Sequence, residues 1–275
     1  MNKQTPLALS NRMFWLLSAA VAVVMVVSTG REMTRPFEGL HSWGKADGAR
    51  FTRAHVAYGL GYTKGLPTEA MGYPPPAEPR RYVNHPVLSP LIAAIPMWLF
   101  GSTEGVYRGY WVFMNALAVL ALMALVRRLV DGPTALAAGL LWALLPLTSY
   151  FGTGGPLMIL ALLAMLFYLR PLGEFGPVEG GRGWLWAGLI VCNFLLLQFA
   201  WTGGFFSLAL AVHCVARHTT RRNWPLIAAL VGLAVATYFA HILAWGLAIY
   251  SLGLLIYYVV RWTRRRNGQA IMMFV

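Results

Sequence analysis

The chain has 275 residues, of which 58% are hydrophobic and 11% are charged. Soluble domains carry about 25% charged residues, so this composition excludes an ordinary soluble domain. The net charge of +13 is concentrated in short clusters beside apolar runs, which indicates membrane topology signals and not a nucleic-acid-binding surface. The runs lack the two-residue alternation of a membrane β-barrel. The sequence therefore predicts an all-α, polytopic integral membrane protein with residues 1–275 in a single membrane domain.

Eight apolar runs are the candidate transmembrane helices. The first is followed by charged Arg31 and Glu32 without a clear small-residue cleavage site, so we interpret it as a retained span and not as a signal peptide. The last two form one continuous run that is too long for a single crossing, with a reversal predicted near His241, Trp245 and Gly246. Two runs are short and should extend into flanking Gly residues. The predicted spans are residues 13–29, 108–130, 134–151, 156–169, 184–200, 205–216, 224–240 and 244–261.

Lys and Arg residues are unevenly distributed among the short loops. They occur near the N-terminus, in alternate loops and in the C-terminal tail, but not in the turns Gly152–Gly155, Trp201–Gly204 and His241–Trp245. By the positive-inside rule, both termini and the Arg clusters are cytoplasmic. Residues 30–107 then form one long extracytoplasmic loop.

The apolar segment Val87–Gly101 allows two interpretations. It is short for a span and contains Pro90 and Pro96, which disfavour a regular crossing helix. We predict an interfacial or re-entrant helix at the membrane surface. The alternative makes this segment a span and places the N-terminus outside the cytoplasm.

A short helix is predicted inside the long loop. Ser42 is a suitable N-cap, and Gly59 and Gly61 should end the helix after Tyr58. On this helix Asp47 and Arg50 are three residues apart and can form a charged pair. An ordinary solvated amphipathic helix would explain the same spacing.

Three motifs follow one another in the loop, and together they resemble a known family. They are His41-Ser42-Trp43 with Ala46-Asp47, Tyr58-Gly59-Leu60-Gly61-Tyr62-Thr63-Lys64, and Asn84-His85-Pro86-Val87-Leu88. In this order and topology they resemble the first extracytoplasmic loop of GT-C type membrane glycosyltransferases, such as the dolichyl-phosphate-mannose mannosyltransferase-like and aminoarabinose-transferase-like families. The resemblance covers roughly residues 1–170; the rest resembles these families only as generic spans.

The resemblance implies transfer of a sugar from a polyprenyl-phosphate carrier to an extracytoplasmic acceptor, in the cytoplasmic (inner) membrane of a bacterium. Asp47 would be the general base, and His85 would lie near the carrier phosphate. Arg50, Arg53 and Lys64 would help to hold that phosphate, because cations in a low-dielectric site stabilise the charge on a leaving phosphate. Membrane lipids and the lipid-linked donor are the expected partners.

One departure from the family pattern leaves a second function open. Many members carry an acidic residue in the second outside turn, whereas this chain has Gly152–Leu157 without a carboxylate. A metal-assisted mechanism is therefore doubtful, and no cofactor is implied. The alternative is a non-catalytic glycosyltransferase-like subunit within a larger membrane complex; an unrelated transporter is a third possibility. Cys192 and Cys214 lie in apolar runs and are predicted to be free thiols.

Overall fold

The apolar runs form helices, because inside a bilayer the backbone is stable only when its polar groups are bonded internally. The computed structural model describes residues 9–31, 33, 42–82, 86–145, 155–170, 183–200, 202–218 and 224–243. The described residues are mostly helical, as the sequence predicts, with one short β-ladder. Their elements are α1 (Asn11–Gly30), α2 (Ser42–Thr63), β1 (Thr68–Glu69), β2 (Arg80–Arg81), α3 (Leu88–Phe100), α4 (Glu104–Leu129), α5 (Gly132–Leu144), α6 (Gly155–Leu169), α7 (Gly183–Phe199), α8 (Thr202–His218) and α9 (Trp224–Leu243).

Among the described residues, α1 and α4 are long and apolar enough to cross a membrane. They have 20 and 26 residues, or about 30 Å and about 39 Å at 1.5 Å per residue. They coincide with the predicted spans 13–29 and 108–130. The apolar helices α3 and α5 to α8 have 13 to 17 residues, so the count of eight spans stays a prediction.

Several predicted boundaries change in the structure. The predicted span 205–216 extends at both ends into α8, which includes Gly203 and Gly204 of a predicted turn. The helix α9 continues through His241 to Leu243, beyond the predicted end at residue 240; Trp245 and Gly246 of the predicted reversal lie outside the described residues. A polar side chain does not interrupt the hydrogen-bonded helix backbone. The predicted eighth span 244–261 lies outside the described residues, as does the end of the third.

The chain divides into two compact units, Met1–Leu162 and Leu163–Val275. In the first unit, α1, α4 and α5 pack around a core that includes Phe14, Met25 and Met123. Gly139 of α5 lies directly against the Met123 side chain, where a Cβ would collide with it. At one end Arg127 lies over the Phe14 ring at 4.1 Å from its centroid. The prediction of a single membrane domain stays a prediction.

In the second unit, a buried polar contact joins α7 and α8. The Ser207 hydroxyl lies 2.9 Å from Asn193 Oδ1 and 3.0 Å from the Gly203 carbonyl oxygen. Asn193 also donates to the Leu189 carbonyl at 2.9 Å. The helices approach closely because a Cβ at Gly203 would lie only 2.9 Å from the Leu196 carbonyl carbon. Small residues and interhelical hydrogen bonds of this kind join helices in membranes. Cys192 and Cys214 are free and buried, as predicted.

We expect Asn193→Leu to destabilise the α7–α8 pair. Leucine has a similar volume but cannot accept the Ser207 hydrogen bond, and such bonds in membranes contribute about 0.6 kcal/mol on average, with a maximum of about 1.7 kcal/mol. The free energy of unfolding in detergent should therefore fall by about 0.5–2 kcal/mol. Gln198→Leu on the same helix is the control and should change it less; an equal loss in both variants would contradict this role.

Candidate active site

The helix α2 lies against the N-terminal end of α4 through one close contact. The Tyr107 hydroxyl lies against Gly48, where a Cβ would collide with it. Beside this contact Ala49, Ala93 and Trp111 form a small core that joins α2, α3 and α4. The sequence folds this way because glycine and alanine let α2 approach the bulky aromatic side chains of α4. Asp47, next to Gly48, is therefore held near the N-terminal end of a helix long enough to cross a membrane.

A glycine kink redirects the chain after the first four turns of α2. Gly59 has φ 76° and ψ 166°, a conformation that is open to glycine and strained for other residues. The helix resumes to Thr63, and the chain then turns through Lys64 and Gly65, with φ values of 56° and 70°. The sequence predicts that the helix ends after Tyr58; the structure has a kink at Gly59 instead, and α2 continues through Gly61 to Thr63. The kink and the turn send the following strand back along α2.

The returning segment forms a hairpin, residues 68–81, that is bonded to the end of α2. Thr68 pairs with Arg81, and Glu69 with Arg80, in an antiparallel ladder. The Tyr58 hydroxyl donates to the Gly72 carbonyl at 2.8 Å, and the Tyr62 hydroxyl donates to the Pro76 carbonyl at 2.7 Å. Arg81 Nη2 donates to the Tyr62 carbonyl at 3.0 Å. These bonds fix a Pro-rich segment that has no long regular ladder of its own.

Arg50 is shared by two carboxylates. Its Nη2 atom lies 2.8 Å from Asp47 Oδ1 and 3.2 Å from Glu69 Oε1. Arg80 is a weaker partner of Glu69, at 3.9 Å. The Arg50, Asp47 and Glu69 side chains are 31%, 39% and 25% exposed, so the cluster is screened from solvent only in part. We name Asp47, Arg50 and Glu69 the carboxylate–arginine cluster.

Aromatic packing further restrains Arg50. Its guanidinium carbon lies 5.6 Å from the centroid of the Phe51 ring, within the range of a cation–π contact. Phe51 is 7% exposed and stacks on Tyr82 with ring centroids 5.9 Å apart. Arg50 Nε is buried without a hydrogen-bond partner among the described residues. The guanidinium is therefore positioned by its neighbours while retaining donor capacity.

His55 is a buried group beneath the cluster. Its Nδ1 lies 2.9 Å from Thr63 Oγ1, and the Thr63 hydroxyl donates to the Gly59 carbonyl at 3.1 Å. Because that hydroxyl has one hydrogen, both bonds form together only when His55 Nδ1 carries the imidazole proton. Nε2 is buried without a partner among the described residues. Burial lowers the pKa of His55 from its ordinary value, so the neutral ring is favoured.

The structure brings together some of the residues predicted for the site. Asp47 and Arg50 form the predicted charged pair at 2.8 Å. The Arg53 side chain on α2 and the Lys64 side chain in the turn after it are exposed, and neither side chain forms a hydrogen bond or ion pair with the other described residues. His85 lies outside the described residues, although α3 begins at Leu88, shortly after Pro86. The catalytic and phosphate-binding roles of all five stay predictions.

Sequence reasoning missed three polar residues: Glu69 on the hairpin, His55 in α2 and Arg108 near the N-terminal end of α4. Glu69 is nineteen positions from Arg50, so only the tertiary fold reveals their contact. His55 has no predicted role, because its burial is not evident from the sequence. Arg108 lies in α4 with its side chain 12% exposed, 4.0 Å from Glu104. Its presence in an apolar helix four residues after a glutamate is a readable signal, since ionisable groups in membrane helices are commonly functional.

The cluster differs from a metal site. In the part of the chain that the structure describes, no three His, Cys, Asp or Glu residues converge. Asp47 and Glu69 already share the Arg50 cation, and Arg80 lies 3.9 Å from Glu69 as a further cation. The donor set visible here fits the binding of an anion near Arg50 together with proton transfer to a carboxylate.

Comparison with known proteins decides the family. A family model described as dolichyl-phosphate-mannose-protein mannosyltransferase matches residues 84–245, which is more than half of the chain. The chain belongs to this family. No curated protein and no solved structure matches it.

Membership in the mannosyltransferase family confirms the resemblance read from the motifs, and it makes the protein a membrane glycosyltransferase of the general GT-C type. The matched region includes His85, Arg108 and the helices from α3 onwards. It begins after the carboxylate–arginine cluster, so the roles of Asp47 and Glu69 are argued from geometry and not from the match.

The segment that begins at His55, residues 55–69, should lose stability on acidification. The pKa of His55 in the fold lies below the ordinary value of 6.5, so the folded state binds fewer protons than the unfolded state just below that pH. The stability that neutral His55 contributes is complete above about pH 6.5. It falls as the pH drops through the pKa of His55 in the folded state, by at most about 1.4 kcal/mol per pH unit.

Hydrogen exchange of the backbone amides of residues 55–69, corrected for intrinsic rates, measures this effect. Protection should decrease from pH 7.5 to pH 5. The control is His55→Asn, which retains a donor at the Nδ1 position but has no titratable group, so its protection should be nearly independent of pH. The same pH dependence in that variant would assign the effect to other groups.

Proposed function

We propose that this protein transfers a sugar from a polyprenyl-phosphate donor to an acceptor hydroxyl on the extracytoplasmic side, with Asp47 as the general base. The observation that carries the proposal is the carboxylate–arginine cluster beside the outer end of α4. It combines a proton acceptor with a cation, and it is partly exposed. Membership in the mannosyltransferase family supports the reaction class.

The chemistry assigned to Asp47 is a single displacement that inverts the anomeric centre. The acceptor oxygen attacks the anomeric carbon of the sugar while its proton moves to Asp47. The bond between that carbon and the phosphate oxygen breaks, and polyprenyl phosphate leaves. Arg50 engages only Oδ1 of Asp47, and Oδ2 has no hydrogen bond among the described residues. Oδ2 is therefore the oxygen available for the proton.

The charge of the leaving phosphate needs nearby cations. Arg50 is the best placed, since its planar guanidinium suits phosphate oxygens and its side chain is 31% exposed. We assign supporting roles to the exposed Arg53 and Lys64, which can approach a phosphate by rotation of their long side chains. His85 is assigned to the carrier phosphate from the family motif.

We further propose that α3 lies at the extracytoplasmic surface of the membrane and does not cross it. Its 13 residues rise about 20 Å, less than a hydrocarbon core of about 30 Å. Pro90, Ala93 and Met97 face the protein, whereas Trp98 and Phe100 are 73% and 74% exposed. Aromatic side chains of this kind are enriched at membrane interfaces. Residues 30–107 are then extracytoplasmic, both termini are cytoplasmic, and the membrane is the inner membrane of a bacterium.

Asp47→Asn should reduce sugar transfer by about 10²–10⁴-fold, the usual contribution of a positioned acid–base group. Asparagine keeps the size and one oxygen for Arg50 but is a very weak base. Transfer from a polyprenyl-phosphate sugar is measured in membranes with matched protein levels. The control is Glu78→Gln at an exposed position of the hairpin, which should retain full activity.

Full activity of Asp47→Asn would end the catalytic assignment. Two results together would instead support a non-catalytic subunit. The protein would form a stable stoichiometric complex that survives detergent, and substitutions on its lipid-facing surface would abolish complex formation but not sugar transfer. Co-purification of membrane partners, run beside the transfer assay, separates these two functions.

Single cysteines test the proposed topology. In a Cys192→Ala, Cys214→Ala background, Tyr73→Cys and Ser102→Cys should both react with an impermeant maleimide added outside, because α3 does not cross between them. Tyr73 is 94% exposed and is therefore a suitable reporter. Val130→Cys, 65% exposed at the other end of α4, should react only after the membrane is opened. Labelling of positions 73 and 102 from opposite sides would make α3 a span.

A further inference from the structure

We propose that Glu69 is a positioning residue for the transfer reaction: it holds Arg50 so that one oxygen of Asp47 stays free, and the buried His55–Thr63 pair holds the turn that brings Glu69 there. This inference rests on the proposed function of Asp47. Glu69 and His55 were assigned no role by the motifs, and both precede the region that matches the family model.

The contact geometry explains why Glu69 matters. Asp47 and Glu69 both approach the same nitrogen, Nη2 of Arg50, at 2.8 Å and 3.2 Å. A guanidinium Nη carries two hydrogens, so each carboxylate can receive one. Arginine alone with a carboxylate commonly forms two parallel bonds to both oxygens. By drawing one hydrogen of Nη2 away, Glu69 holds Arg50 in a single bond to Asp47 Oδ1.

The consequence is chemical. If Arg50 bonded to both oxygens of Asp47, the oxygen that should receive the acceptor proton would be occupied. With Glu69 in place, Oδ2 has no hydrogen bond among the described residues, and the cation still lies beside the base. Glu69 itself does not need to touch the substrate. It acts through Arg50, which distinguishes it from a catalytic residue.

The turn that carries Glu69 is built from side-chain hydrogen bonds that begin at His55. His55 Nδ1 bonds to Thr63 Oγ1 at 2.9 Å, and the Leu66 amide bonds to the Thr63 carbonyl at 3.1 Å. The Thr68 hydroxyl donates to the Leu66 carbonyl at 2.7 Å. Glu69 is the next residue. The chain of bonds therefore runs without a gap from a buried imidazole to the partner of Arg50.

Burial makes this turn a rigid support. His55 is 5% exposed, and Thr63 and Thr68 are completely buried. Buried hydrogen bonds are costly to leave unmade, so the three side chains favour one conformation of residues 63–68. By contrast the sheet itself has only two residue pairs, too few to fix the strand. The position of Glu69 thus depends more on the turn than on the ladder.

The first test compares Glu69→Gln with Glu78→Gln. A neutral glutamine binds Arg50 more weakly, so Arg50 should move onto Asp47 and kcat should fall about tenfold, as for loss of one charged hydrogen bond. The KM for the lipid-linked donor should change by less than about twofold, because Arg50 remains. Glu78→Gln should retain full activity. A wild-type kcat in Glu69→Gln, with Asp47→Asn inactive, would overturn this inference alone.

The second test asks whether His55 acts through Glu69. His55→Leu should lower kcat by about tenfold, and His55→Asn should restore it to within about twofold, because its amide nitrogen replaces Nδ1. In the Glu69→Gln background, His55→Leu should have little further effect, since residues in one network are not additive. Independent multiplication of the two losses would overturn the proposed coupling.

A third readout does not depend on activity. Ala70, next to Glu69, is 9% exposed, so Ala70→Cys in the Cys192→Ala, Cys214→Ala background should react slowly with maleimide. His55→Leu should accelerate labelling at least about tenfold, and His55→Asn should not. Equal rates in all three proteins would overturn the role of the turn. Full activity of Asp47→Asn would instead overturn the proposed function, and accelerated labelling would not rescue it.

Discussion

The contact of Tyr107 with Gly48 is the constraint on which the candidate site depends. A side chain at position 48 would collide with the tyrosine hydroxyl, so only glycine lets α2 lie this close to α4. The contact fixes the helix that carries Asp47 and Arg50 at the N-terminal end of a helix of spanning length. Every later element of the loop, including the kink at Gly59 and the hairpin, is built outward from that fixed helix.

Two kinds of interaction hold this protein together, and each suits its surroundings. Within each compact unit the apolar helices approach through small residues, as where Gly139 meets Met123 and Gly203 meets the Leu196 backbone. Without a hydrophobic driving force in lipid, close packing and a few buried polar bonds are what hold helices together. The hairpin, residues 68–81, is instead held to α2 by side chains that donate to backbone carbonyls, such as Tyr58 to Gly72 and Arg81 to Tyr62. It has little regular structure and needs those bonds to keep one shape.

The charge arrangement follows from that shape. A lone Asp47–Arg50 pair on a half-exposed helix would contribute little to stability, and it would say little about function. The hairpin adds a second carboxylate to the same guanidinium, and it brings Arg80 within 3.9 Å of that carboxylate as a further cation.

The sequence by itself determined the helical membrane class, most helix positions, the break at Gly59 and the Asp47–Arg50 pair. Those features are local: they depend on apolar run length, on glycine geometry and on neighbours three residues apart. The family was also readable from ordered motifs. Only the tertiary structure decided that Glu69 reaches Arg50, that His55 is buried with a defined tautomer, and that Arg53 and Lys64 remain exposed. Those facts depend on a kink and a turn that return the chain across α2, and contacts between residues distant in sequence arise from packing that no local pattern encodes.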